Sequence, residues 1–342
     1  MRRLLVGGGA LLTLPAALAI YLWRSTPPED RAPHPFNQDR NAVWLEHRWL
    51  ERPHSAEEMD ALFATLHRRG VLYAFPHLIP FDATGQLPPH SREQMRTLIE
   101  SARRSAPGMR VLPWVGGLRK GYRRTRQGSL DLADLGQRGR LAAECRGLMD
   151  EGFDGVHLNV EPVDDGNVEY LALLRSLRTA VGDQGLLSVS AIRPGPLAIP
   201  GAPNFFWSLD YYGRVASVVD QIAIMSYDTG LPTAGLYRRY VSYAASSVTR
   251  ALAKSGTRAR VLLGVPTYDE TGLMHRASVE NPGNALLGVI AGLRGVGGGG
   301  TFEGVALYAE WTTDEQEWRT YERLWRGQGA DRETPGLPGT TE

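Results

Sequence analysis

The stretch FDGVHLNVEP, Phe153 to Pro162, sets His157, Asn159 and Glu161 at alternate positions, with Val156, Leu158 and Val160 between them. Successive side chains of a β-strand point to opposite faces. A strand here therefore has one apolar face and one face carrying an imidazole, an amide and a carboxylate. The segments on either side argue for a closed interior.

Seven further runs have the same short apolar character: AVWLEH (42–47), GVLYAFPHL (70–78), RVLPWVGG (110–117), LLSVSAIRP (186–194), DQIAIMSYD (220–228), RVLLGVPTYD (260–269) and FEGVALYAEW (302–311). Amphipathic stretches separate them, among them SAEEMDALFATLHRRG, REQMRTLIESARRS, LAAECRGLMDEG and EYLALLRSLRTAV, and DEQEWRTYERLW follows the last. SAEE and TTDE read as helix starts, with a hydroxyl cap and early acids. An eightfold βα alternation predicts an α/β fold, a (β/α)8 TIM barrel, as a single domain over residues 40–327. A doubly wound open sheet is the competing architecture. It calls for a phosphate-binding glycine turn after the first strand, and none is present. GVGGGG, Gly295 to Gly300, precedes a strand rather than a helix and reads as a loop.

In a barrel, Val156, Leu158 and Val160 face the helical shell, and His157, Asn159 and Glu161 climb the interior toward the C-terminal rim, where such barrels carry their chemistry. A carboxylate inside a barrel is costly without a partner or a use. The competing reading of Glu161 is a structural ion pair, for instance with Arg193 on the next strand.

Composition excludes several partners. Lys and Arg number 38 against 37 Asp and Glu, a net charge of +1, so a nucleic-acid ligand is not expected. Cys145 is the sole cysteine, which rules out an intrachain disulfide. His77, His90 and His157 lack ligand spacing, so neither a metal nor another cofactor is expected. The N-terminus differs in kind. After Met1-Arg2-Arg3, the run LLVGGGALLTLPAALAIYLW has no charge and is long enough to cross a bilayer. Residues 1–24 are expected to be a membrane anchor or signal segment, with the anchor preferred, and 25–39 a Pro-rich linker. On this reading the barrel is a monomer outside the cytoplasm, and residues 328–342 are a disordered tail.

DGVHLNVE resembles the fourth-strand motif Asp-Gly-x-Asp-x-Asp-x-Glu of family 18 glycoside hydrolases, the chitinase-like barrels. Other strands are similar in the same order: YAF (73–75) on strand two, VGG (115–117) on strand three with Trp114 where serine is usual, MSYD (225–228) on strand six, and GVPTY (264–268) on strand seven. GVALY (304–308) ends on Tyr308 where the family ends strand eight on tryptophan. The similarity runs from about residue 40 to 326. Between Tyr268 and Thr301 there is room for one short helix and none for the inserted domain common in that family, which implies an open groove.

The resemblance implies substrate-assisted hydrolysis of an N-acetylated polysaccharide or peptidoglycan, outside the two-carboxylate scheme. Glu161 would be the acid/base, and the substrate's own acetamido carbonyl the nucleophile. Tyr227 would hold the acetamido oxygen, and Asp228 would support the sugar or Glu161. Tyr308 would floor the reacting sugar. Substrate contacts are expected from His157, Met225, Tyr268, Trp114 and Glu310 as well. Trp207, Tyr211, Tyr212 and Trp311 could line the groove.

The family's second and third acids are replaced by His157 and Asn159. The Asn-x-Glu pair resembles that of family 85 endo-N-acetylglucosaminidases, which use the same mechanism on a related barrel. A charged His157 would favour ionised Glu161. Two other readings stay open: a non-catalytic glycan-binding barrel, and a two-carboxylate glycosidase pairing Glu161 with Glu310 or Asp269.

Overall fold

The computed structural model describes residues 34–328, apart from 79, 121–128, 196–205 and 297–299. The expected membrane segment, most of the linker, the middle of the glycine-rich loop and all but the first residue of the tail lie outside the described residues. Among the described residues no helix is long and apolar enough to cross a membrane. The end of the expected linker is docked onto the barrel. His34 stacks on Phe36 and hydrogen-bonds the Leu324 carbonyl at 2.9 Å, and Asp39 pairs with Arg326 at 3.1 Å.

The strands are β1 (Asn41–Leu45), β2 (Val71–Pro76), β3 (Arg110–Val111), β4 (Trp114–Arg119), β5 (Ser129–Leu130), β6 (Gly155–Glu161), β7 (Leu186–Ile192), β8 (Gln221–Met225), β9 (Arg260–Pro266) and β10 (Phe302–Tyr308). All pairings are parallel, in the order β3-β2-β1-β10-β9-β8-β7-β6-β4-β5. β3 and β4 are one stave interrupted at Leu112–Pro113. β3 pairs with β2 and β4 with β6, and a bridge from His77 to Trp114 carries β2 onto the second half. The ring closes through this stave, and each predicted run holds most of one stave, although β1 starts before its run at Asn41, β4 continues past its run to Arg119, and β5 lies in none of the predicted runs.

The helices are α1 (Arg48–Glu51), α2 (Ala56–Arg68), α3 (Arg92–Ser105), α4 (Leu135–Asp150), α5 (Val168–Val181), α6 (Leu209–Ala216), α7 (Ala234–Ser255), α8 (Pro282–Arg294) and α9 (Glu315–Leu324). Ser55 caps α2 in a capping box with Glu58, as SAEE predicts. In TTDE the cap is a carboxylate instead. Asp314 accepts the Glu317 N–H, while the Thr312 and Thr313 hydroxyls turn back to the Ala309 carbonyl. Asp is as good a cap as a hydroxyl, and it stands at the position where the chain enters the helix.

Val156, Leu158 and Val160 are buried in the large apolar layer between staves and helices. A second, smaller cluster fills the barrel itself and includes Trp44, Tyr73, Phe75, Leu112 and Leu262. The connection from Pro266 to Pro282 carries no inserted domain, so the rim stays open on that side.

Candidate active site

Alternation along β6 places His157 deepest, Asn159 above it and Glu161 at the rim. Asn159 and Glu161 keep partial exposure, whereas His157 has none. Asn159 lies opposite Gly116 on β4, and a Cβ at Gly116 would sit 1.7 Å from the Asn159 carbonyl oxygen. The glycine of VGG is there to let the two strands approach. Gly264 on β9 acts in the same way for the opposite wall, because a Cβ there would meet Tyr227 Cε1 at 2.9 Å.

His157 is no cleft residue, contrary to expectation. It is fully buried, stacked on Phe75 at 4.0 Å, and touched edge-on by Trp44. The Trp44 indole N–H, a donor only, lies 3.1 Å from His157 Nε2, so that nitrogen accepts and Nδ1 carries the proton. Nδ1 sits 2.8 Å from Ser188 Oγ, which donates to Gln221 Oε1 at 2.8 Å. The Gln221 amide donates to Glu303 at 2.9 Å, and Tyr73 donates to the other Glu303 oxygen at 2.6 Å. Burial lowers the His157 pKa to about 3. The imidazole is neutral and does not act on Glu161 as a cation.

This buried base makes stability depend on pH. The unfolded chain takes up His157's proton near pH 6.5 and the folded chain only near 3, so stability is full above 6.5 and falls as pH drops. We expect a loss of up to about 1.4 kcal/mol per pH unit below 6.5 from this group. Denaturant titrations from pH 7 to 5 measure it. His157→Asn should flatten the slope, and equal slopes in both proteins would assign it to other groups.

Above His157 lies a cleft of about 350 Å³ lined by Asn159, Glu161, Met225, Tyr227, Asp228, Tyr268, Tyr308 and Trp114. Trp44, Ser190, Glu270, Trp311 and Thr312 complete it. Tyr308 stacks on Tyr227 with centroids 5.2 Å apart and meets Trp44 and Tyr268 edge-on, giving an aromatic floor. A second cleft of about 760 Å³ shares Trp114, Asn159 and Glu161 and extends over Phe81, Pro88 and Leu118. Glu161 thus stands where two clefts meet.

Burial raises the Glu161 pKa, and the nearby Asp228 charge adds to the rise, while a hydrogen bond from the Asn159 side chain opposes it. The Asn159 amide nitrogen serves that bond, and its Oδ1 is buried with no hydrogen-bond partner. Burial pushes the Tyr308 hydroxyl up to about 12 and Tyr227 well above its ordinary value, so both stay protonated donors. Asp228 Oδ1 accepts the Tyr268 hydroxyl at 2.6 Å. Arg193 is not the partner of Glu161. Its guanidinium donates to the Tyr227 carbonyl at 3.1 Å and packs over Phe206.

Several predicted residues lie elsewhere. Glu310 turns away from the cleft: its carboxylate accepts the Trp49 indole N–H at 3.2 Å and faces Arg48 at 3.7 Å. Asp269 is exposed and lines neither cleft. Trp207, Tyr211 and Tyr212 are buried behind β7, with their polar atoms bonded to the carbonyls of Val163, Asn167 and Ile192. Ser190 and Glu270 line the cleft without having been singled out. Ser190 carried a usable signal, since it alternates inward on its strand. Glu270 sits in a loop and carried none. Asp228, His275 and Glu280 also form a close group of potential ligand atoms that no sequence spacing revealed.

The comparisons with known proteins bear on the family and on the fold. The profile of "Glycosyl hydrolases family 18" matches residues 63–329. Chitinase B of Serratia marcescens is 33% identical over 100 residues, 28% of this chain and 20% of that protein. A probable endochitinase of Caenorhabditis elegans is 27% identical over 155 residues, 39% of this chain and 24% of that protein. The chain therefore spans a quarter or less of the curated relatives it matches. Among solved structures, the Bacillus cereus spore cortex-lytic enzyme SleL superposes with a TM-score of 0.55 at 12% identity, covering 82% of this chain and 73% of SleL. A chitinase from Chromobacterium violaceum ATCC 12472 gives 0.53 at 14% identity, covering 82% and 98%. These likenesses are to the fold. With the profile match over most of the chain and the ordered strand motifs around Glu161, they show that the protein belongs to family 18 of the glycosyl hydrolases.

Proposed function

We propose that the protein hydrolyses glycosidic bonds of an N-acetylhexosamine polymer, chitin-like or peptidoglycan-like, with retention and with the substrate's acetamido group as nucleophile. The observation that carries this reading is the buried, unpartnered Asn159 Oδ1 beside Glu161. A lone acceptor at the base of an aromatic cleft suits an amide N–H, and an acetamido group supplies one. Once that N–H is held, the carbonyl oxygen can turn under the anomeric carbon, where the Tyr227 hydroxyl can donate to it.

The roles follow from the chemistry. Glu161, whose pKa burial raises, delivers its proton to the leaving oxygen as the C–O bond breaks. The acetamido oxygen closes onto the anomeric carbon to give an oxazolinium ion. Glu161, now ionised, takes a proton from the water that opens the ring. Tyr308 packs against the C–H face of the sugar. The two-carboxylate reading loses support because Glu310 is engaged with Trp49 and Arg48, and Asp269 is outside both clefts. A binding-only barrel has no need of a carboxyl group with a raised pKa at the meeting point of two clefts.

The test is a screen of the purified chain on chitooligosaccharides, peptidoglycan and aryl N-acetylglucosaminides, each beside its de-N-acetylated counterpart. Cleavage of the acetylated members alone is the expected result. Equal cleavage of both sets would remove the acetamido group from the mechanism, and binding without cleavage would favour the lectin-like reading.

A further inference from the structure

Behind Asp228 lies a buried pair to which the reaction above gives no task. His275 and Glu280, both on the connection from β9 to α8, are 4% and 1% exposed. With Asp228, on the connection from β8 to α7, they bring one imidazole nitrogen and two carboxylate oxygens within 4.8 Å of one another. His275 Nδ1 lies 3.4 Å from Glu280 Oε2 and 3.6 Å from Asp228 Oδ1. Both separations are longer than an N–H···O bond, and neither His275 Nδ1 nor Glu280 Oε2 has a hydrogen-bond partner. Two neighbouring polar atoms shut away from water are costly to leave unbonded, unless a further group holds both.

Each of the three groups is fixed from its other side. His275 Nε2 lies 3.1 Å from the Tyr268 carbonyl oxygen, which can only accept, so Nε2–H donates there and Nδ1 is the nitrogen turned to the carboxylates. The second Glu280 oxygen accepts the Thr229 N–H at 2.9 Å and the Thr229 hydroxyl at 2.6 Å. Asp228 Oδ1 accepts the Tyr268 hydroxyl at 2.6 Å. An imidazole that gives one N–H to a backbone carbonyl, beside carboxylates hydrogen-bonded from behind, is the outer arrangement of a metal site. We infer that His275 Nδ1, Glu280 and Asp228 form a binding site for a divalent first-row transition ion, with zinc the best fit. The spacing selects the ion. Four-coordinate zinc with nitrogen and oxygen ligands at about 2.0–2.2 Å sets those atoms about 3.3–3.6 Å apart. Octahedral magnesium would set them about 2.9 Å apart, and calcium takes oxygen ligands, not imidazole. Half-exposed Asp228 gives the ion a way in and leaves room for water as the fourth ligand. Bound there, the ion ties the rim connections after β8 and β9 together, behind the cleft wall made by Asp228 and Tyr268. The site does not depend on the activity proposed above.

The purified full chain, stripped with a chelator and dialysed against zinc, tests this. One zinc per chain is expected, with a higher unfolding midpoint when it is bound. Cobalt in its place should give the intense visible absorption of a four-coordinate ion. His275→Gln and Glu280→Gln should each lose about a hundred-fold or more in zinc affinity, since each removes a ligand. Thr229→Val keeps all three ligands and removes one hydrogen bond to Glu280, so it should lose roughly ten- to a hundred-fold. A parent that takes up no zinc, a six-coordinate cobalt spectrum, or parental affinity in His275→Gln and Glu280→Gln would overturn the proposal. Where a ligand variant fails to fold, the cobalt spectrum of the parent and the zinc affinity of Thr229→Val decide, and unchanged affinity there overturns it as well.

Discussion

Glu161→Gln is expected to lower kcat by about 10²–10⁴, the usual contribution of a positioned general acid. Gln keeps the shape and can still accept from Asn159, but it has no proton to give to a leaving oxygen. Stability should move in the opposite direction. The Glu161 pKa is raised in the folded protein, so folding disfavours its ionised form. That penalty is fully present above the raised pKa and vanishes below the ordinary carboxylate value. Glu161→Gln should therefore be as stable as the parent in acid and more stable at alkaline pH. Melting curves and kcat across pH check both arms. A variant that melts lower than the parent at neutral pH while turning over normally would show that Glu161 is a structural group.

Asn159→Ala should lower kcat by about 10²–10³, the cost of losing one well-placed transition-state hydrogen bond. The acceptor lost is the buried Oδ1, which has no other partner. The same change removes the bond that opposes the rise in the Glu161 pKa, so the alkaline limb of the kcat profile should move to higher pH. Asn159→Asp should retain activity and shift that limb upward too, because a second carboxylate beside Glu161 disfavours its ionisation. A thiazoline mimic of the cyclised sugar should inhibit the parent and bind Asn159→Ala poorly. Should Asn159→Ala keep the parent's rate, the acetamido group is held by other residues and the mechanism must be redrawn.

The staves were legible because each is a short apolar run bounded by turn residues, and their count and alternation with helices leave few architectures. The inward set on β6 was legible for the same reason, since period two is a property of the strand alone. Glu310 failed for a related cause. It stands two residues past Tyr308, and β10 ends at Tyr308, so the alternation of the strand no longer turns it inward. Trp207, Tyr211 and Tyr212 failed because an aromatic residue in sequence looks the same whether it floors a sugar or fills the space behind a stave. Their hydrogen bonds to backbone carbonyls show the second use.

By itself, the sequence determined the barrel, the order of its motifs and the placement of Asn159 and Glu161 on one face, because these depend on residues close together in the chain. Only the tertiary structure decided which polar groups meet. Trp44 on β1 and Ser188 on the neighbouring stave β7 enclose His157, whose burial lowers its pKa, and Asp228 from beyond β8 adds to the rise that burial gives the Glu161 pKa. His275 and Glu280 reach Asp228 from a loop without periodicity. The charge a group carries depends on its loss of water and on the partners around it, and both are set by segments that lie far apart in the chain.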